Sequence, residues 1–236
     1  MRTPRPLLLV TVLLGALALV MLAGCGDSDD GGGSDTAQEP AATTAETSGP
    51  CEVVELPAPR NEPLLRKPKE RLDPSREWTA TVTTNCGTFT IGLDVARAPK
   101  TAASFASLAR RGFYDDLTFH RIAPGFVIQG GDPLGTGTGG PGYTIVEKPP
   151  RDLQYTHGVV AMAKTNTEPD GASGSQFFVV TGEDGGLPPQ YALVGTVVDG
   201  LDVVDTIGAS PIDTSDPQGS RPVDPVVIES VEIAGR

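Results

Sequence analysis

The chain has 236 residues and a formal net charge of −12 at pH 7, with 30 acidic side chains against 18 basic ones. This balance argues against nucleic acid as a partner, because binding to phosphates needs clustered lysine and arginine side chains. The sequence holds two histidines and three cysteines and no Cys-x-x-Cys pair, so a metal site is not expected either.

The first 24 residues have the pattern of a bacterial export signal. Two arginines precede an apolar run over 7–23, which is typical of a secretory signal. The run ends in "LAGC" at 22–25, which resembles the lipobox of bacterial lipoproteins. We therefore expect Cys25 to be diacylated, to be the mature N-terminus and to anchor the chain to the cell membrane, outside the cytoplasm. A plain secreted protein and a retained membrane-spanning segment are the alternatives.

Two segments of unusual composition follow the signal. After the lipidated Cys25, the rest of the segment 25–50 contains no Leu, Ile, Val or aromatic residue, which predicts a flexible tether. Residues 51–77 are rich in proline and locally basic. They are predicted to form a solvated arm that lies on the domain, with contact to anionic lipid as the alternative. Cys51 and Cys86 form an even pair in an oxidising, exported setting, so a disulfide is expected between them.

The predicted folded domain covers 78–236 and is mostly β. Two alternating runs around Asn85-Cys86-Gly87 predict a hairpin over 78–95. Pro99 and Gly112 bound a predicted helix over 98–112, and a second short helix is predicted over 199–208. Further strands are predicted at 117–121, 126–130, 143–147, 158–163, 176–181, 191–197 and 224–233. Many short strands with glycine-rich turns and few helices favour a closed barrel.

Three blocks of the domain place polar side chains among aromatic and apolar ones. They are "FHRIAPGFVIQGGDP" at 119–133, "AMAKTNTEPDGASGSQFFVV" at 161–180 and "LPPQYALVGTVVDGLDVVD" at 187–205. Together, and in this order, they resemble the cyclophilins, a family of peptidyl-prolyl cis-trans isomerases. The resemblance implies a mainly β, closed antiparallel barrel of eight strands, capped by two helices, with a substrate groove on its outer face. It also implies catalysis without a metal or other cofactor.

The resemblance assigns roles to residues along that groove. Arg121 matches the family's catalytic arginine, and Gln129 matches a glutamine beside it. Phe119 is expected to point into the barrel, while Arg121 points out to the groove. The implied substrate-binding residues, which include the floor and the rim of a proline pocket, are Phe126, Val127, Ala163, Lys164, Gln176, Phe178, Leu187 and Tyr191.

The chain departs from the family pattern at several groove positions. Gly186 stands where the best-known eukaryotic members have a tryptophan, and Tyr191 replaces a histidine. Val127 replaces a methionine and Lys164 an asparagine, and the loop over 165–174 is longer than usual. These differences leave the substrate preference open.

Structural alternatives exist for the same residues. Arg121 could be a surface arginine paired with a carboxylate, and Phe126 and Phe178 could be ordinary core. The two groove glutamines could merely satisfy backbone groups of loops. Both histidines, His120 and His157, are expected to be structural or loop residues rather than catalysts.

The sequence thus predicts a lipid-anchored isomerase that acts on X–Pro bonds of exported proteins. Its expected partners are proline-containing polypeptides, and it is expected to act as a monomer. We expect it to touch the membrane only through its lipid and to bind no nucleic acid. A non-catalytic module that binds proline peptides is the alternative, and an anchored scaffold that functions through its arm is a third possibility.

Overall fold

The computed structural model describes residues 51–61, 64–216 and 220–236. The predicted export signal, the tether and the lipidation site at Cys25 lie outside the described residues. In the described part of the chain, no helix combines the length and the apolar character needed to span a bilayer.

The fold consists of thirteen strands and two helices in the described residues. The helices are α1 (Pro99–Ala109) and α2 (Leu201–Gly208). The strands are β1 (Trp78–Thr84), β2 (Gly87–Leu93), β3 (Leu117–Thr118), β4 (Arg121–Ala123), β5 (Val127–Gly130), β6 (Ile145–Val146), β7 (Val159–Met162), β8 (Ala172–Ser173), β9 (Phe177–Val180), β10 (Leu193–Asp199), β11 (Ile212–Asp213), β12 (Arg221–Pro222) and β13 (Val227–Gly235).

Nine of these strands form one antiparallel sheet in the order β3-β13-β1-β2-β10-β7-β9-β5-β4. Strands β11 and β12 form one small pair, and β6 and β8 form another. The predicted hairpin corresponds to β1 and β2, and its turn ends at Gly87, whose φ of +123° favours glycine. The first turn of α1 donates the N–H groups of Lys100 and Thr101 to the carboxylate of Glu147, at 2.9 Å and 2.7 Å.

The sequence predicted a closed, eight-stranded barrel, and the prediction that the barrel is closed is wrong. The sheet is an open, strongly curled half-barrel whose edge strands, β3 and β4, do not pair. Only Phe119 and His120 separate these two strands along the chain, but each pairs elsewhere, β3 with β13 and β4 with β5. Backbone groups at this break bond to irregular chain instead: Phe119 N–H donates to the Val226 carbonyl at 2.9 Å, and Ile122 N–H donates to that of Ser220 at 2.7 Å.

Buried apolar side chains lie in two clusters. The inner cluster, inside the curl of the sheet, includes Phe105 of α1 and Val204 of α2, so both helices cap it. Its rings pack at close range, with Phe105 and Phe177 centroids 5.4 Å apart. The outer cluster consists of nine buried residues: Ala98, Val127, Leu153, Tyr155, Val159, Ala161, Phe178, Val180 and Leu193. The sheet therefore carries apolar side chains on its outer face as well as its inner face, as a substrate groove on the outer surface requires.

The basic arm is tied to the domain at several points. The predicted disulfide is present and joins Cys51 to Cys86 in the β1–β2 turn. Further along, Leu65 N–H donates to the Pro141 carbonyl at 2.9 Å. Leu72 is buried and belongs to the inner cluster.

Candidate functional site

A row of side chains crosses four neighbouring strands on one face of the sheet. Arg121 of β4 is opposite Gln129 of β5, and Gln129 is opposite Phe178 of β9. Phe178 is in turn opposite Ala161 of β7. Directly opposed residues on antiparallel strands have Cβ atoms about 4.5–5.5 Å apart, so the register alone brings the predicted catalytic pair together.

Arg121 reaches this outer face because the strand is interrupted just before it. In an unbroken strand, Phe119 and Arg121 would share a face, since they are two residues apart. Yet Phe119 belongs to the inner cluster, whereas Ala123, two residues after Arg121, packs on the outer one. The break between β3 and β4 therefore changes the face on which odd-numbered side chains lie.

The guanidinium of Arg121 has no protein partner among the described residues. No carboxylate lies within 4.0 Å of it, and it donates no hydrogen bond to another described group. The side chain is only partly exposed. The structure thus does not show the alternative of a surface arginine paired with a carboxylate, and the donors of Arg121 are available to a substrate.

The two groove glutamines are joined by a hydrogen bond between their side chains. Gln129 Nε2 donates to Gln176 Oε1 at 3.0 Å, and Gln176 Nε2 donates to the Gly139 carbonyl at 2.9 Å. The alternative that they satisfy loop backbone therefore holds for Gln176. In the described part of the chain, Gln129 Oε1 accepts no hydrogen bond, which leaves it able to accept one from a peptide N–H.

Beside this row lies an apolar patch whose buried floor includes an aromatic ring. Val127 and Phe178 are 3% and 4% exposed, so Phe178 is a core residue as well as part of the floor. The partly exposed residues that pack above the outer cluster are Ala123, Phe126, Ala163, Leu187 and Tyr191. All of the predicted apolar pocket residues thus lie in or on this one cluster.

Tyr155 supports this apolar patch, and no sequence pattern predicted its role. Its hydroxyl donates to the Tyr191 carbonyl at 2.6 Å and accepts from Tyr191 N–H at 2.9 Å. Its ring lies 6.2 Å from that of Phe178, and the rings of Phe178 and Tyr191 are 5.4 Å apart. Burial raises the pKa of Tyr155 to about 12, so it remains a neutral donor. It falls between two of the three sequence blocks, where no motif signals it.

Lys164 lies at the rim and turns towards its own loop. Its ammonium donates to the carbonyls of Thr165 and Glu168, at 3.2 Å and 3.3 Å. It also lies 5.6 Å from the centroid of the Tyr191 ring. The two residues that replace the family's asparagine and histidine therefore contact each other.

A second cavity, of about 830 Å³, adjoins the glutamines. Its walls include Gln129, Gln176 and the glycine-rich loop over 137–142. Leu64 of the arm also lines it and is 83% exposed. A Cβ on Gly142 would lie 2.7 Å from Leu64 Cδ2, so glycine is needed for this close approach. The arm was predicted to lie on the domain, but no motif placed it at the groove.

The buried carboxylate of Asp132 binds the backbone at the start of the same loop. It is 1% exposed, and its carboxylate accepts backbone N–H groups of Leu134 at 2.8 Å, Thr136 at 3.0 Å, Gly137 at 2.5 Å and Thr138 at 3.0 Å. Four donors converge on one side chain, which holds the loop in one conformation.

Neither histidine is a member of the row. Burial lowers the pKa of His120, and the Asp132 carboxylate and the Thr118 carbonyl oppose this effect only in part. His157 Nε2 lies 2.6 Å from Asp205 Oδ1 at an exposed position. Within the described ranges, no group of three or more His, Cys, Asp or Glu side chains could hold a metal ion.

Comparison with known proteins gives one consistent family. The family model for cyclophilin type peptidyl-prolyl cis-trans isomerases matches residues 79–233. Peptidyl-prolyl cis-trans isomerase A of Mycobacterium tuberculosis is 40% identical over 173 residues, which cover 66% of this chain and 92% of that protein. Peptidyl-prolyl cis-trans isomerase B of Streptomyces anulatus is 38% identical over 174 residues, covering 66% of this chain and 97% of that protein.

Solved structures agree with this comparison. A crystal structure of a Cryptosporidium parvum cyclophilin type peptidyl-prolyl cis-trans isomerase superposes with a TM-score of 0.62 at 29% identity. The match covers 68% of this chain and 99% of that one. A second crystal structure of that protein, obtained in the presence of the dipeptide Ala-Pro, has a TM-score of 0.61 at 30% identity and covers 67% and 99% of the two chains.

Proposed function

Because the chain belongs to the cyclophilin-type peptidyl-prolyl cis-trans isomerases and is an enzyme of that type, we propose that it isomerises X–Pro bonds of exported proteins. In this proposal Arg121 is the catalytic donor. Proline-peptide binding is supported by the Cryptosporidium parvum relative, whose structure was obtained with Ala-Pro. Export and a lipid anchor at Cys25 are supported by the sequence pattern of residues 1–25. The Cys51–Cys86 disulfide also fits an oxidising compartment.

The rate of the reaction is limited by rotation about a bond with partial double-bond character. Rotation about a peptide bond faces a barrier of about 18–20 kcal/mol because resonance gives the C–N bond partial double-bond character. For X–Pro bonds the uncatalysed exchange takes tens to hundreds of seconds. No bond is made or broken, so a nucleophile is not required. A site accelerates the exchange if it binds the twisted bond, in which resonance is lost, more tightly than either planar form.

Arg121 can supply that preference. When the bond twists, the prolyl nitrogen regains a lone pair that can accept a hydrogen bond, and a guanidinium N–H aimed at it stabilises the twisted state. Such a preorganised donor acts most strongly where it has no competing partner and needs no reorganisation. The observation that carries this assignment is that the guanidinium is partly buried and unpaired among the described groups, on the face it shares with Gln129 and Phe178.

The neighbouring residues would position the substrate. We expect a proline ring to bind on the apolar patch over Val127 and Phe178, with Phe126, Leu187 and Tyr191 around it. Gln129 Oε1, which accepts no bond from the described residues, can take a backbone N–H of the bound chain. The second cavity continues from the glutamines and has room for further residues of the polypeptide.

The test is the isomerase activity of Arg121→Ala in a protease-coupled assay on a proline-containing tetrapeptide. Loss of one preorganised donor costs roughly 2–4 kcal/mol, so kcat/KM should fall about 30-fold to 1000-fold. Arg121→Lys should recover little of this, because an ammonium lacks the planar fork of donors. Arg97→Ala is the matched control, since Arg97 is exposed and paired with Asp94 at 2.6 Å. Near-normal activity in a folded Arg121→Ala protein would refute the assigned role.

A further inference from the structure

A cleft between the arm and helix α1 is lined by basic side chains. It has a volume of about 440 Å³, and its floor includes Leu72, Ala103 and Ser107. Six cationic residues surround it and all are exposed, so they form one basic surface, which we call the basic cleft: Arg66, Lys67, Lys69, Arg71, Arg110 and Arg111. The chain has 18 basic residues, so a third of them meet here.

These cations lack acidic partners in the described part of the chain. None of the six lies within 4.0 Å of a carboxylate there, although the protein has 30 acidic residues. Glu70 is the one acidic residue that lines the cleft. Clustering like charges costs free energy through mutual repulsion, and an anionic partner would relieve this repulsion.

The two walls of the basic cleft are held in place. On the arm side, Leu72 is buried in the inner cluster, and Leu65 is bonded to the Pro141 carbonyl at 2.9 Å. On the helix side, the Arg110 guanidinium stacks 5.1 Å from the centroid of the Trp78 ring. Cations near the end of a helix also stabilise its dipole, which accounts in part for Arg110 and Arg111. That effect does not explain the four cations of the arm.

We propose that the basic cleft docks on the phosphate headgroups of an anionic phospholipid surface. On cytoplasmic membrane surfaces, clusters of four to eight Lys and Arg residues bind anionic phospholipids, and the same electrostatic attraction applies to any anionic lipid face. Although the protein is acidic as a whole, a membrane contacts only one side of it, so the charge of that side decides the interaction. With a Debye length of about 8 Å at physiological salt, the acidic remainder of the domain is largely screened from the lipid charge.

The position of the arm in the chain favours a membrane as the occupant. The arm begins at Cys51, and the 25 residues between Cys25 and Cys51 can extend over at most about 85 Å. If Cys25 is lipidated, the basic cleft can therefore reach the bilayer. Docking would then fix the orientation of the domain, because the cleft would face the membrane. The cleft itself does not depend on the lipid anchor, so it can be tested without it.

A soluble fragment, residues 51–236, is suited to this test. Every buried apolar residue of the described chain lies between Leu72 and Val231, so the fragment keeps both clusters. The match to the Cryptosporidium parvum chain covers 68% of this chain and 99% of that one, so the part of the fold shared with that protein needs no residues beyond the fragment. The fragment lacks the apolar run over 7–23, which would otherwise insert into vesicles.

The experiment measures sedimentation of the fragment with two kinds of vesicle, phosphatidylcholine alone and two parts phosphatidylcholine to one part phosphatidylglycerol. Binding is expected only to the second kind and should weaken as salt is raised. Two variants remove charge from opposite walls, Lys67→Gln/Lys69→Gln and Arg110→Gln/Arg111→Gln. Each lost cation should weaken binding about five-fold, so each double variant should bind about 25-fold more weakly.

The matched control is Arg151→Gln/Arg221→Gln, which removes two exposed arginines outside the cleft. It should bind nearly as well as the parent. The proposal is overturned if the fragment ignores phosphatidylglycerol, or if the control loses as much affinity as the cleft variants. It is also overturned if inorganic phosphate at constant ionic strength, or duplex DNA, displaces the fragment from vesicles, because either result would indicate a different ligand.

Isomerase activity on a soluble tetrapeptide separates this proposal from the proposed function. All three double variants should keep the kcat/KM of the parent, since none alters the groove. An inactive but vesicle-binding parent fragment would count against the function and leave the cleft standing. An active fragment that fails to bind vesicles would count against the basic cleft and leave the proposed function standing.

Discussion

Asp132 illustrates how a residue far from any reacting atom can shape the groove. It is buried, and it accepts four backbone N–H groups from the loop that lines the second cavity. Hydrogen bonds to a charged acceptor contribute about 1.5–3 kcal/mol each, and a donor left without a partner is costly. The carboxylate is therefore a positioning group for the loop.

The variant Asp132→Asn should be less stable, and it should bind substrate less well. The amide NH₂ replaces an acceptor oxygen and would face donors, so we expect a loss of about 2–4 kcal/mol. Urea unfolding should show a lower midpoint at an unchanged m-value. KM should rise more than kcat falls. Asp184→Asn is the control, because among the described residues the Asp184 carboxylate accepts one backbone N–H, that of Gly186, in an exposed loop, so its midpoint should stay near that of the parent. An unchanged midpoint in Asp132→Asn would contradict this account.

His120 should make the stability of the domain depend on pH. Burial lowers its pKa in the folded state, whereas an unfolded histidine titrates near about 6.5. As pH falls below that value, the unfolded chain takes up the proton first, so the free energy of unfolding decreases. Between about pH 6.5 and pH 5, before most carboxylates titrate, the urea midpoint should therefore fall. His120→Phe should remove this slope and His157→Gln should keep it. Equal slopes in the parent and His120→Phe would show that His120 is not responsible.

At the scale of elements, the interruption between β3 and β4 does more than leave the sheet open. It places Phe119 inside and Arg121 outside, although they are two residues apart. The arm is the other element that matters, because it contributes Leu64 to the second cavity and one wall to the basic cleft. Both elements are irregular segments whose backbone bonds reach distant parts of the chain.

The disulfide should stabilise the domain by holding the start of this arm. The two cysteines are 35 residues apart, and closing such a loop contributes about 3–4 kcal/mol in the chain-entropy model. Cys51→Ser/Cys86→Ser should lower the urea midpoint accordingly. A reducing agent should have the same effect on the parent and none on the variant. Equal midpoints for the oxidised and reduced parent would show that the disulfide does not contribute.

At the scale of the whole molecule, the proposed anchor and the basic cleft would act together. The anchor would hold the domain within reach of the membrane, and the cleft would set which face it turns to the lipid. The row from Arg121 to Ala161 lies on a different set of elements, β4, β5, β9 and β7, from those that form the cleft. Docking at the cleft would therefore not use any residue of the groove.

The anchor is tested by Cys25→Ala in the full chain. If the lipobox is processed, the variant should lose its acyl chains and move from the membrane fraction to the soluble or secreted one. Two acyl chains give stable anchoring, which a single chain does not. Fractionation after a high-salt wash is the measurement, because salt removes protein held only by charge. A variant that stays with the membrane after this wash would contradict lipidation as the anchor.

The sequence by itself determined the strands of the hairpin, both helices, the family and the partners of the disulfide. The strands, the helices and the family follow from local patterns, since side-chain alternation, a proline at a helix start and block motifs act over a few residues. The disulfide partners follow instead from the count of cysteines, because only Cys51 and Cys86 come after Cys25. It also placed Arg121, Gln129 and Phe178 in one groove through the resemblance to a family.

Only the tertiary structure decided the rest. It left Arg121 unpaired among the described residues, set Tyr155 under Tyr191 and opened the sheet between β3 and β4. It also brought the arm beside Arg110 and Arg111, about forty residues further along the chain, to make the basic cleft. The physical reason is that these features depend on contacts between segments far apart in sequence. Such contacts are set by how the curled sheet packs and where its backbone hydrogen bonds end, and no local pattern of residues encodes them.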